Sequence, residues 1–394
     1  MNKTVLLLGC DGYIGNALTQ RLLNKGFKVV GVDNFLRRFW VKDLMGSKSA
    51  TPILPMVEKI SRLNELGEFT FYSFDLLTDS TKVENLIATY KPDTVINLAH
   101  IPSAPFSQIS QEKAEFTLVN NIIPTNNLLW AIKKHIPNAH YITIGTTGEY
   151  DHYSNIDIEE GYIKINHKGR TSNEMIYPRR PGSIYHCSKT ASTYLIDFLS
   201  RTWNLKCTDV QQSVVFGSYT DEIDETKVYS RLDSDEAGGT VINRFIVQTL
   251  LGVPMTIYGE GLHQRGFISL NDSIQALEIA VNNPPNPGKV QVWNQLSEWH
   301  SIMEITKLVE EVAIKLGVPS SKQHIPSPRS EYTGAHYYNY VVDILPSLGY
   351  NPTRSIKQEI EYTMSVIKNT IPQELKSVVM PKILWGHKNE QEHK

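Results

Sequence analysis

The stretch from Thr4 to Asp33 constrains the fold more tightly than any other part of the chain. Thr4, Val5, Leu6, Leu7 and Leu8 make an apolar run that suits a strand buried on both faces. It leads straight into Gly9, Cys10, Asp11, Gly12, Tyr13, Ile14 and Gly15, after which Leu18, Leu22 and Leu23 recur at helical spacing. Glycines in that turn let it tighten and let a pyrophosphate approach the amides that open the helix. A second strand over 28–32 ends at Asp33, where a carboxylate would meet the hydroxyls of an adenosine ribose. Strand, glycine turn, helix, strand and acid in this order predict a dinucleotide-binding crossover. Asp33 favours NAD over NADP because it would repel a ribose phosphate, whereas Arg37 and Arg38 could each pair with one.

The alternation continues down the chain. Residues 34–67 form a long excursion with a helical apolar pattern at Met56, Ile60 and Leu63, and a third strand over 69–74 leads to Asp75 and Leu76, placed to contact adenine. A helix over 80–90, a strand over 94–99, a helical segment over 116–132 and a fifth strand over 140–144 follow, the last running into Gly145, Thr146, Thr147, Gly148, Glu149 and Tyr150. This order implies an α/β fold, a doubly wound parallel (Rossmann) sheet with ligands at the carboxyl ends of its strands. Thr146 stands at such an end; His100, after the fourth strand, reads as a packing or backbone contact. A chain of 394 residues with 41% hydrophobic content can bury a large core. The expected division is a dinucleotide-binding part over 1–216, rejoined by about 266–296, and a smaller interleaved C-terminal substrate part over 217–265 and 297–394.

Tyr185, His186, Cys187, Ser188 and Lys189 open an amphipathic helical run, and the spacing of four puts Tyr185 and Lys189 on one face. An ammonium beside a phenol favours the phenolate, which would suit Tyr185 to take a proton from a sugar hydroxyl. By itself the pair more often means a tyrosine packed beside a solvated lysine. Behind a dinucleotide site it gains weight.

With Gly9 to Gly15, Asp33, Thr146 and the Tyr185/Lys189 pair in place, the chain resembles the extended short-chain dehydrogenase/reductase family, nucleotide-sugar members included, over nearly its whole length. Four further blocks resemble one branch, which forms UDP-sulfoquinovose from UDP-glucose and sulfite: 32–38 (Val-Asp-Asn-Phe-Leu-Arg-Arg), 103–107 (Ser-Ala-Pro-Phe-Ser), 145–150 and 155–162 (Asn-Ile-Asp-Ile-Glu-Glu-Gly-Tyr). The resemblance implies NAD held by Gly9, Gly12, Tyr13, Ile14, Gly15, Asp33, Asn34, Arg37, Asp75, Leu76, Leu98, Asn121, Tyr185, Lys189, Gln212 and Val215. It implies chemistry at Thr146, Tyr185 and Lys189: oxidation at carbon 4, loss of water, addition of sulfite and re-reduction. His186 could serve the later steps or bind the sulfonate, or be a packed histidine. The UDP-sugar would be met by Thr146, Gly148, Glu149, Tyr185, Gln212, Asn243, Thr256, Tyr258, Arg265 and Arg329, the arginines suiting a pyrophosphate. Related dehydratases carry an Asp-Glu pair directly after the threonine, where this chain has Thr147 and Gly148. That makes a dehydratase the weaker reading and leaves the carbon 5 base open between His186 and Glu149. A UDP-hexose 4-epimerase and a non-catalytic NAD-binding regulator are the alternatives.

Other features narrow the partners. A net charge of -2 leaves no basic footprint for nucleic acid, and no apolar run is long enough to span a membrane. Cys10, Cys187 and Cys207 show no metal spacing and no disulfide framework, which suits a reducing, cytoplasmic setting, and the chain reads as starting at its first strand. The polar stretch 150–183 is long for a connection and reads as a lid over the substrate. Asp272 is expected to cap a helix, amphipathic helices are expected over 301–316 and 355–367, and 388–394 reads as a solvated tail. The resemblance also implies a homodimer paired through helices.

Overall fold

The computed structural model describes residues 3–40, 48–150, 156–327 and 339–382. Its centre is a seven-stranded sheet built from β1 (Thr4–Leu8), β2 (Lys28–Asp33), β3 (Phe69–Ser73), β4 (Thr94–Asn97), β5 (His140–Thr146), β6 (Lys206–Gln212) and β7 (Gln291–Gln295). The spatial order is β7-β6-β5-β4-β1-β2-β3, and every neighbouring pair is parallel. The strand order reverses between β1 and β4, so the crevice beyond their carboxyl ends is where such a sheet binds ligands.

Alternation along β1 explains why helices cover both faces. Val5 and Leu7 enter one core with α1 (Tyr13–Asn24) and α7 (Leu270–Asn282), through Leu18, Leu22, Ile274 and Leu277. Leu6 and Leu8 point the other way, toward α3 (Ser80–Tyr90), α4 (Gln111–His135) and α5 (Ile184–Trp203), against Val83, Leu128, Ile132 and Ile196. Full burial of such side chains stabilises by about 1.5–3 kcal/mol each, so the apolar run is strand and core at once. Helix α2 (Met56–Leu66) adds Leu63 to the first face. A separate core lies past residue 216, where Phe245 and Ile246 of α6 (Val241–Leu250) meet Val309 of α8 (Ile302–Lys315) and Ile360 of α9 (Ile356–Ile367).

Several boundaries differ from the sequence expectation for local reasons. β4 stops at Asn97, whose Oδ1 accepts the Ala99 amide (3.2 Å), while β5 continues two residues further, to Thr146. α4 starts at Gln111 because Ser110 caps it, accepting the Lys113 amide. Asp272 does not cap α7. Ser269 does, accepting the Asp272 amide, and the Asp272 carboxylate instead accepts from the Thr353 amide and hydroxyl. The described part of 150–183 carries two short antiparallel ladders, Tyr162–Ile163 with Met175–Ile176 and Asn166–His167 with Arg170–Thr171. The tail 388–394 lies outside the described residues. No helix among the described residues is long and apolar enough to cross a membrane.

Candidate active site

The glycine turn is shaped by backbone contact. Gly9 has φ of +83°, and a Cβ on Gly15 would sit 2.0 Å from the Gly9 carbonyl oxygen, so side chains are excluded at both. Gly12, at the N-cap of α1, has no side chain to cover the first amides of that helix. A phosphate can therefore approach them. Asp33 ends β2 with Oδ2 accepting the Asp11 amide (2.9 Å) and Oδ1 accepting the Phe35 amide (2.8 Å). Burial, and after it the charge of Asp11, pushes its carboxyl up to about 6. Both nearby arginines are committed elsewhere: Arg38 binds Asp11 through Nε (2.5 Å) and Nη2 (2.6 Å), and Arg37 Nε binds Asp233 (2.9 Å). Lys59 also binds Asp11, at 2.6 Å. Neither arginine is held ready for a ribose phosphate, and the end of the crevice fits NAD.

The other end of the same cavity is a wall made by β5 and the start of α5. Ser183 caps α5 by accepting the His186 amide, the Tyr185 amide donates to Ser107 Oγ (3.1 Å), and Ser188 Oγ donates to the Tyr185 carbonyl (2.7 Å). These bonds fix the helix start against the block at 103–107. Lys189 Nζ donates to the Ile144 carbonyl (2.5 Å) and lies 2.9 Å from His100 Nδ1. Burial lowers Lys189 to about 8, with Glu149 and Asp209 opposing, and burial together with Lys189 holds His100 well below the usual histidine range. The expectation that Lys189 lowers the Tyr185 pKa is not met. Burial first, then Glu149, pushes the phenol well above its ordinary value, and a hydrogen bond from Thr146 offsets only part of that. In this state Tyr185 is a neutral phenol.

Thr146 is held from both sides. Its amide donates to Glu149 Oε1 (3.1 Å) and Gln211 Oε1 (3.2 Å), and its hydroxyl accepts the Gly148 amide (3.2 Å). His186 packs over Gly148 so closely that a Cβ there would be 2.2 Å from His186 Nε2, and its ring lies 5.1 Å from that of Tyr185. The absence of a side chain at Gly148 thus leaves the space the imidazole fills.

One cavity takes in Gly9, Gly12, Tyr13, Ile14, Gly15, Asp33, Asn34, Arg37, Asp75, Leu76 and Leu98 at one end. Thr146, Gly148, Tyr185, His186, Lys189, Gln212, Val215, Asn243 and Arg265 line the same cavity; Asn243 lies beside Tyr13, where its Oδ1 accepts the Gly217 amide (2.9 Å) and the Tyr13 hydroxyl donates to the Gly217 carbonyl. Four expected contacts lie elsewhere. Asn121 is fully buried and ties the Ile101 backbone to Ser188 Oγ (2.8 Å), because its amide satisfies a loop and a helix at once. Thr256 accepts from Gln248 (3.0 Å) inside the second core, and Tyr258 stacks near Arg244. Glu149 is wholly buried behind the wall. Arg329 lies outside the described residues. Sequence reasoning passed over His100 as a partner of Lys189, and over Asp11, Arg179 and Asp209. Only the carboxylate inside the glycine turn was visible as a signal. No group of three or more His, Cys, Asp or Glu among the described residues could hold a metal ion.

Comparison with known proteins agrees with this fold. The sequence model of the NAD dependent epimerase/dehydratase family matches residues 5–294. The chain is 36% identical over 389 residues to UDP-sulfoquinovose synthase of Sulfolobus acidocaldarius, covering 97% of each. It is 39% identical over 355 residues to the chloroplastic UDP-sulfoquinovose synthase of Spinacia oleracea, covering 89% of this chain and 72% of that one. Among solved structures, UDP-glucose 4-epimerase of Thermotoga maritima with UDP-glucose superposes with a TM-score of 0.69 at 21% identity, over 93% of this chain and 99% of that one, a likeness of fold.

Proposed function

This chain belongs to the NAD dependent epimerase/dehydratase family, and we propose that it joins sulfite to UDP-glucose, giving UDP-sulfoquinovose and water. When bound, NAD provides a place for the carbon 4 hydride, whose later return leaves no net redox change. Tyr185, a neutral phenol in the cofactor-free site, would take the proton of the carbon 4 hydroxyl once a positively charged nicotinamide ring beside it favours the phenolate, Thr146 hydrogen-bonds the same oxygen, and Lys189 would hold the nicotinamide ribose. The resulting ketone acidifies the hydrogen on carbon 5. His186, which lines the cavity where Glu149 does not, removes it. His186 passes that proton to the carbon 6 hydroxyl, which leaves as water; the sulfur of bisulfite bonds to carbon 6, the bisulfite proton goes to carbon 5, and the carbon 4 hydride would return. Gln212, Asn243 and Arg265 line the same cavity and meet the UDP-sugar, Arg265 offering a guanidinium to the pyrophosphate; Arg329, outside the described residues, is a further expected contact.

The observation that carries the reading is the imidazole of His186 lying over Gly148. A dehydratase-type wall would need acid side chains in that space. Residues 1–216 with about 266–296 serve the cofactor, and 217–265 with 297–394 serve the nucleotide sugar. The protein works in the cytoplasm as a homodimer. Support for the dimer comes from α4 and α5, which pack together yet leave Val119, Ile123, Trp130, Tyr194 and Phe198 exposed. The test is incubation with UDP-glucose and sulfite, followed by mass analysis of the product. A sulfite-dependent gain in mass is expected. UDP-galactose would indicate an epimerase, and unchanged UDP-glucose a regulator.

A further inference from the structure

The segment 150–183 reads from sequence as a lid, but one of its side chains points inward, behind the catalytic wall. The Arg179 side chain has no exposed surface, and neither does that of Glu149; Arg179 Nη1 lies 3.6 Å from Glu149 Oε2. The guanidinium also sits 4.4 Å from the centre of the Tyr150 ring. The chain around it is pinned to the same place, since the Arg180 amide donates to the Glu149 carbonyl (2.9 Å). Glu149 in turn holds the Thr146 amide, and its Oε2 lies 3.1 Å from Thr193 Oγ1, which donates to Asp209 Oδ2 (2.6 Å). Two carboxyl groups therefore stand next to each other in a buried space. Burying even one ion without a counter-charge is costly enough that the group neutralises instead.

We propose that Arg179 is a positioning residue for Thr146: from behind the wall it supplies the positive charge that lets Glu149 stay a carboxylate and hold the Thr146 amide. The proposal rests on the reading above in that Thr146 faces the reacting hydroxyl. The groups that face Glu149 are Arg179 from the 150–183 segment, Asp209 from β6, Lys189 and Tyr185 from α5, and its neighbour Tyr150. Burial pushes Glu149 up to about 7, and Arg179 is the largest influence in the other direction. Arg179 is likewise the largest influence lowering Asp209, which burial raises. Removing the guanidinium should raise both carboxyls further, protonate the pair near neutrality and loosen Thr146. The segment then acts as a strut whose one inward cation sets the ionisation of the wall.

The test compares the NAD-loaded wild type with Arg179→Met, Arg179→Lys, Glu149→Gln and the Arg179→Met/Glu149→Gln double variant. Turnover of Arg179→Met should fall about tenfold to a hundredfold, in the range typical of losing one aligned polar contact at a reacting centre, with NAD occupancy and the KM for UDP-glucose little changed. Its acid limb should move to higher pH, and Arg179→Lys should move it back. In the Glu149→Gln background, where there is no charge to balance, Arg179→Met should have little further effect on turnover, which keeps the test usable if Arg179→Met alone folds poorly. Carbon-13 resonances of the Glu149 carboxyl, read without substrate, should show it more protonated in Arg179→Met at the same pH. An unshifted acid limb and an unchanged carboxyl resonance would overturn the proposal, as would additive losses in the double variant. If wild-type protein leaves UDP-glucose untouched while the carboxyl resonance shifts as expected, the substrate reading fails and the Arg179–Glu149 coupling stands.

Discussion

The two ends of the cavity are built differently. At the cofactor end the shape comes from the backbone: Gly9 in a left-handed conformation, Gly15 against the Gly9 carbonyl, and a helix start that presents its amides. At the catalytic end it comes from side chains distant in sequence, with Glu149, Arg179, Asp209 and Thr193 stacked behind Thr146, and His100 against Lys189. A backbone-built site is local and tolerates change only where no Cβ is needed. A site built from buried charges depends on a balance that no single stretch of the chain contains.

If that contrast is right, substitutions at the two ends should fail in different ways. The largest effect belongs to Tyr185→Phe, which should lower turnover by about 10²–10⁴, the usual worth of a positioned acid/base group, while bound NAD, counted by absorbance after denaturation, stays at the wild-type level. Loss of NAD in this variant would break the separation. Gly15→Ala should do the reverse. Its methyl meets the Gly9 carbonyl, and overpacking of this kind costs about 1–3 kcal/mol, or roughly tenfold to a hundredfold in NAD affinity. Calorimetric titration would measure it, with wild-type affinity as the contradicting result.

The smallest effect is one of pH at the cofactor end. Asp33 is raised by burial and by Asp11 to about 6, so it protonates as pH falls through that value and ceases to accept the ribose hydroxyls. NAD affinity should drop a few-fold between about pH 7 and pH 5. The stability of the cofactor-free protein carries the opposite sign. A carboxyl harder to ionise folded than unfolded contributes stability that is full below its ordinary value near 3.8 and gone once pH passes about 6. An NAD affinity that is flat across this range would show that Asp33 is not the ribose contact.

The same contrast explains what could be read from the sequence. The strand, glycine turn, helix and acid of residues 4–33 were legible because each element follows from its neighbours, and so were the third, fourth and fifth strands in chain order; the edge strand β7 and the spatial order of the sheet were not. Thr146, Tyr185, His186 and Lys189 were legible as types at a strand end and a helix start, and the structure brings them to one wall. What could not be read were distances between segments far apart in the chain. Asn121 looked like a cofactor contact and proves to join Ile101 to Ser188; Glu149 looked like a substrate contact and lies behind the wall; Arg179 gave no signal in a polar stretch. Asp272, an acid near a helix start, lost the cap to Ser269 because the helix begins earlier than its apolar spacing suggests.

The central claim is that the carbon 4 hydride is lent within the site and returned to the same sugar after sulfur has bonded. UDP-glucose carrying deuterium at carbon 4, turned over with sulfite and only enzyme-bound NAD, tests it directly. The account requires many turnovers per bound cofactor and a sulfonated product that keeps the deuterium at carbon 4. A product that has exchanged the deuterium for solvent hydrogen, or turnover that stops after one equivalent of reduced cofactor, would contradict it.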